Sequence, residues 1–527
     1  MGDGGVSLKE EGGRKKEEVA TEQSQGLPEG WETATLGDVL LDIVGGGAPP
    51  RNVPAYFDGS IPWFTVKDMK SLRPRDAEEH ITEEAINNSA TNLIPANTLI
   101  LATRIALGRA MRPLVDCAIN QDLKALTLGE GVEPDFFLYW VCAHERAIQD
   151  LGSGTTVSGI RLETLRSLPV LLPPSAEQNR IVEKLEELLS DLDAGVAELK
   201  AAQQKLAQYR QSLLKAAVEG DLTADWRRQH IPTETGAELL SRILQERRAR
   251  WEAKQLEKFA SQGKTPPKNW QNKYPEPTPP DTQNLPTLPE GWVWASVDQI
   301  GEVFLGKMLD KSKHITGKEL PYFRNVNVRW GEIDVGDVKE MFFDDDELER
   351  YGLLEGDVLV CEGGELGRAA VCKKEHESFK YQKALHRVRL FGFYEPYLFI
   401  SILETLSKSG RLAKEFTGST INHFTKEIFV ALSIPLPPLV EQKEIVSKIH
   451  AQIDEIFEQL MRIDFSLKQT TAQRQNILRA AFAGELVPQD PSDEPASALL
   501  ERIRAQRAAQ APAKKPRGRK KKEIQNV

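Results

Sequence analysis

One long helical stretch occurs twice in this chain, at residues 173–222 and 437–486. A shift of 264 positions superimposes Pro173 and Pro174 on Pro437 and Pro438, Glu177 and Gln178 on Glu441 and Gln442, and Ile181 on Ile445. The same shift carries Leu214, Ala216, Ala217, Gly220 and Leu222 onto Leu478, Ala480, Ala481, Gly484 and Leu486. In the first copy Leu185, Leu192, Leu199, Leu206 and Leu213 recur every seven residues, beside a second row of Ile181, Leu188, Gly195, Ala202, Tyr209 and Ala216. Two such rows make a coiled-coil seam, because a 3.5-residue period keeps one stripe turned toward a partner helix. The second copy runs Ile449, Ile456, Ile463, Thr470, Ile477 beside Ile445, Gln452, Gln459, Ser466, Gln473, Ala480. This seam is wetter, and polar seam residues cost stability while fixing register and partner. Two such helices in one chain are expected to pack as an antiparallel pair; the plainer alternative buries each in its own domain.

The duplication extends upstream. Leu27-Pro28-Glu29-Gly30-Trp31 returns letter for letter as Leu288-Pro289-Glu290-Gly291-Trp292, a Pro/Gly turn followed by an anchoring Trp. Between each pentapeptide and its Pro-Pro pair lie short β-like runs, such as residues 61–66, 98–102, 320–323 and 357–361, then apolar helix candidates at 134–147 and 396–406. Identity between these halves is low apart from anchors such as Leu107-Gly108-Arg109 against Leu366-Gly367-Arg368 and Gln121 against Gln382. The pattern predicts one scaffold with two different surfaces. The domain division is a polar tail at 1–26, a globular domain at 27–172, a long helix at 173–222, a charged helix and Pro-rich linker at 223–287, a second domain at 288–436, its helix at 437–486, and a C-terminal helix and basic tail at 487–527. The tail 1–26 reads as disordered, the charged helix runs from about 235 to 261, and residues 264–286 read as a semi-rigid spacer. The fold class is therefore α+β: two α/β globular domains separated by two long antiparallel coiled-coil helices in a pseudo-twofold internal repeat.

At 527 residues and 40% hydrophobic content the chain is expected to hold several cores. A formal charge of -10 argues against a uniformly basic nucleic-acid coat, so phosphate contacts must come from local patches. Cys117, Cys142, Cys361 and Cys372 form no C-x-x-C pair and read as free thiols of a reducing compartment. No apolar run approaches the roughly 20 residues a bilayer requires. A cytoplasmic protein without membrane association is the expectation.

The Leu-Pro-x-Gly-Trp pentapeptides, the step Pro435 to Gln442 with its counterpart before Gln178, the long helices and the Ala-Ala-x-x-Gly-x-Leu exits resemble the specificity (S) subunit of type I restriction-modification enzymes over residues 27 to 505. The resemblance implies two target recognition domains, each reading half of a bipartite, asymmetric double-stranded DNA sequence. It also implies helices that dock methylation (M) and restriction (R) subunits. The chain itself would bind no cofactor, S-adenosylmethionine, ATP and Mg²⁺ being used by those partners.

The motifs agree with a chain lacking catalytic residues of its own. No Asn-Pro-Pro-aromatic sequence, no G-x-x-x-x-G-K-[ST] loop and no zinc-ligand spacing occurs, and Gly45-Gly46-Gly47 and Glu362-Gly363-Gly364 read as turns. Asp344-Asp345-Asp346 reads as a solvated acidic turn, so no metal site is expected. Arg and Lys pair with guanine, and Asn and Gln with adenine. The candidate DNA-binding residues of the first domain are Lys67, Arg73, Arg75, Arg104, Arg109, Arg112, Gln121 and Lys124, with Gly154, Thr155 and Thr156 as a phosphate loop. Those of the second are Arg324, Asn325, Asn327, Arg329, Arg368, Lys380, Gln382, Lys383, His386 and Arg387, with Gly418, Ser419 and Thr420. The basic run at 514–522 suits either a solubilising tail or a phosphate contact. Two rivals stand beside this reading. A coiled-coil scaffold whose domains bind protein would show no salt-resistant binding to one bipartite duplex. A self-sufficient nuclease or methyltransferase would act on DNA alone.

Overall fold

The computed structural model describes residues 26–152, 159–308, 317–414 and 425–510. The chain divides into two units, one of residues 1–199 with 465–527, the other of residues 200–464. Neither unit is continuous with the domain division read from sequence, because each long helix contributes one half to each unit.

In the first unit, strands Leu40–Gly45, Leu123–Leu128, Leu99–Ala102 and Ala110–Met111 form an antiparallel sheet in that spatial order. A second sheet runs His80–Ile81, Ile61–Phe64, Cys117–Ile119, Leu93–Ile94, with a parallel pair in which Trp63 lies opposite Ala118. A ribbon pairs Glu32–Thr35 with Pro169–Leu172. The second unit repeats this plan. Gly301–Leu305, Leu385–Leu390, Val358–Cys361 and Ala369–Val371 form the first sheet, and Lys339–Phe343, Lys318–Phe323 and Lys380–Tyr381 the second, again with one parallel pair. Val293–Ser296 pairs with Ser433–Leu436. The expected helices at 134–147 and 396–406 are Pro134–Ala143, followed by Glu145–Asp150, and Pro396–Lys408. Each begins at a Pro, whose missing N–H costs nothing in a first helical turn.

The two long helices are Ser175–Glu219 and Leu439–Phe482. They run antiparallel and touch within each unit. In the first unit Ile181, Leu185 and Leu189 share a core with Leu478 and Ala481, and Arg474 pairs with Asp193. In the second, Leu214 and Ala217 share a core with Ile445 and Ile449, and the Tyr209 hydroxyl donates to Gln452 Oε1 at 2.8 Å. The seam is therefore as expected, wet where Gln452 interrupts it. Ile181, Leu185, Leu213, Ile445, Ile449 and Ile456 are buried, while Leu188, Leu192, Leu199, Leu206, Ile463 and Ile477 are half-buried.

The duplicated letters now acquire causes. Gln178 donates to the Pro173 carbonyl at 3.0 Å and accepts from the Glu133 N–H at 2.9 Å, which ties the long helix to the start of Pro134–Ala143. Gln442 does the same with Pro437 and Glu395, at 2.9 Å each. Glu441, 1% exposed, accepts from Thr223, Arg227 and the Trp292 indole. Gly220 and Gly484 take φ of +84° and +76°, and a Cβ on either would come within 2.5 Å of a Pro ring, Pro289 or Pro28, from the pentapeptides. The exit of each helix copy thus closes on the pentapeptide of the other half of the sequence.

The spacer expected at 264–286 is instead laid on the second unit. Trp270 stacks on Trp251 at 5.8 Å, Thr278 N–H donates to Asp298, the Ser296 hydroxyl donates to Thr278 O, and the Ser433 hydroxyl donates to Asp281 O at 2.9 Å. A Pro-rich segment lacks N–H groups for a sheet but keeps its carbonyls, and these hydroxyls satisfy them. The charged helix, Gly236–Ser261, starts at a Thr235/Glu238 capping box, and Gly236 N–H donates to Gly291 O at 2.7 Å. The C-terminal helix, Ala496–Gln510, repeats the arrangement in the first unit, with Ala496 N–H on Gly30 O at 2.9 Å and Leu499, Leu500 and Ile503 buried.

Candidate nucleic-acid interface

Three loops of the first unit meet beside the parallel strand pair. The Asn120 N–H donates to Phe64 O at 3.0 Å, which places Asn120 and Gln121 beside the turn Val66–Asp68 that carries Lys67. The Thr103 N–H donates to Asp122 O at 2.9 Å, bringing in the hairpin loop of residues 103–109. Arg104, Arg109, Gln121 and Lys67 are exposed there, and Arg104 is held 3.6 Å from the Asp122 carboxylate. The Lys124 ammonium donates to Gln121 O at 3.3 Å; burial lowers its pKa, Asp122 opposes that, and Arg104 adds to it. The cluster presents guanidinium, amide and ammonium donors with a carboxylate behind them, the donor set that base edges and phosphates accept. Arg75 is exposed on the loop following that turn.

The second unit builds the corresponding loops with other side chains. Gln382 N–H donates to Phe323 O at 3.1 Å, and Glu362 N–H donates to Ala384 O at 2.9 Å. Arg324, Asn325, Arg368, Gln382 and Lys383 are brought together, with Arg368 donating to Asn325 O at 2.8 Å and Arg324 to Asp337 at 2.7 Å. The Asn325 Oδ1 is buried without a partner among the described residues. Arg329 is exposed, 3.5 Å from Asp334. Gly46 and Gly306 occupy matched places where a Cβ would stand 1.9 and 2.2 Å from the carbonyls of Asn120 and Gln382. The glycine-rich run at 45–47 is thus a close backbone approach at the end of strand Leu40–Gly45, and not the turn expected from its composition.

Six of the expected DNA-binding residues hold the scaffold instead. Arg112 clamps Asp135 at 2.7 and 2.8 Å, and Arg73 pairs with Asp135 and Glu186. Burial alone would depress the Arg73 guanidinium, but those carboxylates outweigh it and hold the pKa above its ordinary value. Asn327, 1% exposed, donates to Asp334 O and Asp337 O, both at 2.9 Å. Lys380 donates to Leu348 O at 2.8 Å, and its pKa is lowered by burial and then by Lys318 and Arg387. His386 is fully buried in its strand, and Arg387 lies between the rings of Phe304 and Tyr381. Composition marks such residues as readers; only burial reveals that their charge is consumed by carbonyls, carboxylates and rings. Gly154, Thr155, Thr156, Gly418, Ser419, Thr420, most of the tail at 1–26 and the basic run at 514–522 lie outside the described residues.

Sequence reasoning missed Ile105 and Val326, exposed by 64% and 56% among these loops. The signal for Ile105 was available, since alignment on Leu-Gly-Arg sets it against Gly364.

The duplication seen in the fold recurs when the chain is compared with known proteins. The family model described as type I restriction modification DNA specificity domain matches residues 28–201 and again 289–462. The chain belongs to the specificity-subunit family of type I restriction-modification systems. It is 25% identical over 508 residues to the EcoKI specificity subunit of Escherichia coli K12, covering 92% of this chain and 97% of that one. It is 24% identical over 500 residues to the E. coli EcoDI specificity subunit, covering 92% and 96%. A solved chain from a type I R-M system, described in terms of complex assembly and conformational transition, shares the fold at a TM-score of 0.60 and 17% identity, covering 87% of this chain and 99% of that chain. This specificity subunit acts in DNA recognition. Among the described residues no helix is long and apolar enough to cross a membrane.

Proposed function

We propose that the chain reads a bipartite, asymmetric DNA sequence, each domain taking one half, and that it docks methylation and restriction subunits without performing catalysis. The observation that carries the reading is the repeated loop cluster: the same backbone contacts recur at Phe64 and Phe323, at Thr103 and Glu362, and present different side chains. Two copies of one reader with unlike surfaces suit two unlike half-sites. The candidate readers are the exposed residues Lys67, Arg75, Arg104, Arg109, Gln121 and Lys383, with the half-buried Lys124, Arg324, Asn325, Arg368 and Gln382 supporting them. Docking is supported by the second long helix, where Phe457 and Met461, one turn apart, are exposed by 62% and 55%. Apolar side chains left in water on a helix already paired along another face suit a partner protein. S-adenosylmethionine, ATP and Mg²⁺ are assigned to the partners.

The test is an exchange of residues 27–172 for those of a relative, followed by methylation mapping of DNA from cells holding the methylation partner. One half of the methylated motif should change. A change in both halves would refute the assignment of one reader to each half-site.

A further inference from the structure

Resting on that reading, we propose that Ile105 is the apolar reader of the first recognition domain, contacting the 5-methyl group of a thymine in the major groove. Ile105 has φ of +68°, a left-handed conformation that a β-branched residue rarely adopts. The hairpin does not need an isoleucine there. In the second domain the loop closes with the same two bonds: Ala102 N–H to Arg109 O at 2.9 Å corresponds to Cys361 N–H to Arg368 O at 2.8 Å, and Arg109 N–H to Ala106 O to Arg368 N–H to Glu365 O, both at 3.2 Å; the first loop adds Ala106 N–H to Arg104 O at 2.8 Å, and the second Gly367 N–H to Cys361 O at 3.3 Å. At the matching position stands Gly364, φ +80°, for which the conformation is free of strain.

The first domain therefore holds a strained residue where its sister shows that glycine suffices, and packing does not repay the strain, because the side chain is 64% exposed. A strained residue kept at a loop tip points to a role at the surface. Its surroundings name the partner's chemistry. Arg104 precedes it, Arg109 closes the same loop, and Gln121 stands on the neighbouring loop, all exposed. These side chains pair with the polar edges of guanine and adenine. Among the major-groove edges of the four bases the one apolar group is the thymine methyl, and a short branched aliphatic chain set among polar readers complements it.

The experiment uses the full chain assembled with its methylation partner. The motif methylated by the wild type should contain an A·T pair in the half that exchange of residues 27–172 assigns to the first domain. With Ile105→Gly, methylation should extend to other pairs at that position and leave the other half unchanged. Duplexes carrying the wild-type motif, with dT or dU at that position, serve as binding probes. The wild type should prefer dT about fourfold, the value of burying one methyl group, and the Ile105→Gly and Ile105→Asn complexes should show no preference. The Ile105→Gly chain should melt at or above the wild-type temperature, since the strain is relieved. A lower melting temperature would make the isoleucine a packing residue, and an unchanged motif or a retained dT preference would remove it from the interface. A wild-type complex that distinguishes no duplex from dU would point to a wedge between bases and overturn the methyl contact. If the wild type methylated no bipartite motif at all, the underlying DNA-reading assignment would fail, independently of Ile105.

Discussion

The buried carboxylates of Glu177 and Glu441 are the same residue in the two copies of the repeat, but replacing them should have unequal consequences. Glu441 accepts hydrogen bonds from the Thr223 hydroxyl at 2.7 Å, Arg227 Nε at 2.9 Å and the Trp292 indole at 2.9 Å. One carboxylate thus joins the start of the second helix, the segment leaving the first and the pentapeptide of the second domain. With Ala at 441, the hydroxyl of Thr223, fully buried, and the Arg227 guanidinium, 19% exposed, lose that acceptor. Counted singly, bonds to a charged group contribute about 1.5–3 kcal/mol each. They share one acceptor and do not add, so the loss expected for breaking a buried pair, about 3–5 kcal/mol, is the better figure. For a unit of this size that lowers the melting temperature by about 10 °C. Glu177 keeps a 3.3 Å contact from Gln489, and burial raises its pKa above the ordinary carboxylate value. A raised folded pKa means that the protonated form is favoured by folding, so its stabilisation is present at low pH and lost as pH rises through the folded pKa. At neutral pH the ionised group is a cost, and Glu177→Gln should be neutral or stabilise by about 1 kcal/mol. Scanning calorimetry of the full chain should separate Glu441→Ala from Glu177→Gln by several degrees. Equal shifts would refute the claim that the partners, and not the repeated letter, determine the energetics.

Other consequences follow from the same structure. Gly220→Ala should lose about 3 kcal/mol, from a Cβ 2.5 Å from Pro289 Cγ combined with φ of +84°, whereas Gly356→Ala, φ +86° in open space, should lose about 1 kcal/mol; urea midpoints compare them. Burial holds the His144 pKa below 6.5, so its contribution to stability is complete above that value and is lost as pH falls through the folded pKa. Urea midpoints of the wild type should drop between pH 7.5 and 5.5 more than those of His144→Gln.

Much of the architecture was legible because it depends on patterns repeated within one chain. Heptads fixed the helices, and the paired Pro-Pro, Glu-Gln and Gly-x-Leu steps marked where they start and leave. Residues 264–286 depart from the expected spacer for a definite reason: Pro content predicts stiffness, but the contacts that dock the segment come from Trp251, Ser296 and Ser433, distant in sequence. The interface was half legible. Residue type selected Arg104, Arg109 and Gln121, which are exposed, and equally Lys380 and Arg387, which are buried. Chemistry at the level of one residue does not distinguish a cation offered to a phosphate from one spent on a carbonyl.

Comparison of the two copies draws that distinction where single residues do not. Positions that keep their letters, Gln178 with Gln442 and Gly220 with Gly484, make the same backbone contacts in both units, so their identity is set by the scaffold. Where letters differ while the backbone path is retained, as at Lys67 and Val326, the scaffold makes no demand on the side chain, which is free to answer to an external partner, and at Ile105 against Gly364 the side chain is held even against the scaffold's preference. A duplicated reader thereby carries its own control. Substitutions at Gln178, Gln442, Gly220 and Gly484 should lower stability without altering the DNA motif, and substitutions at the unmatched exposed positions should alter one half of the motif with little change in stability.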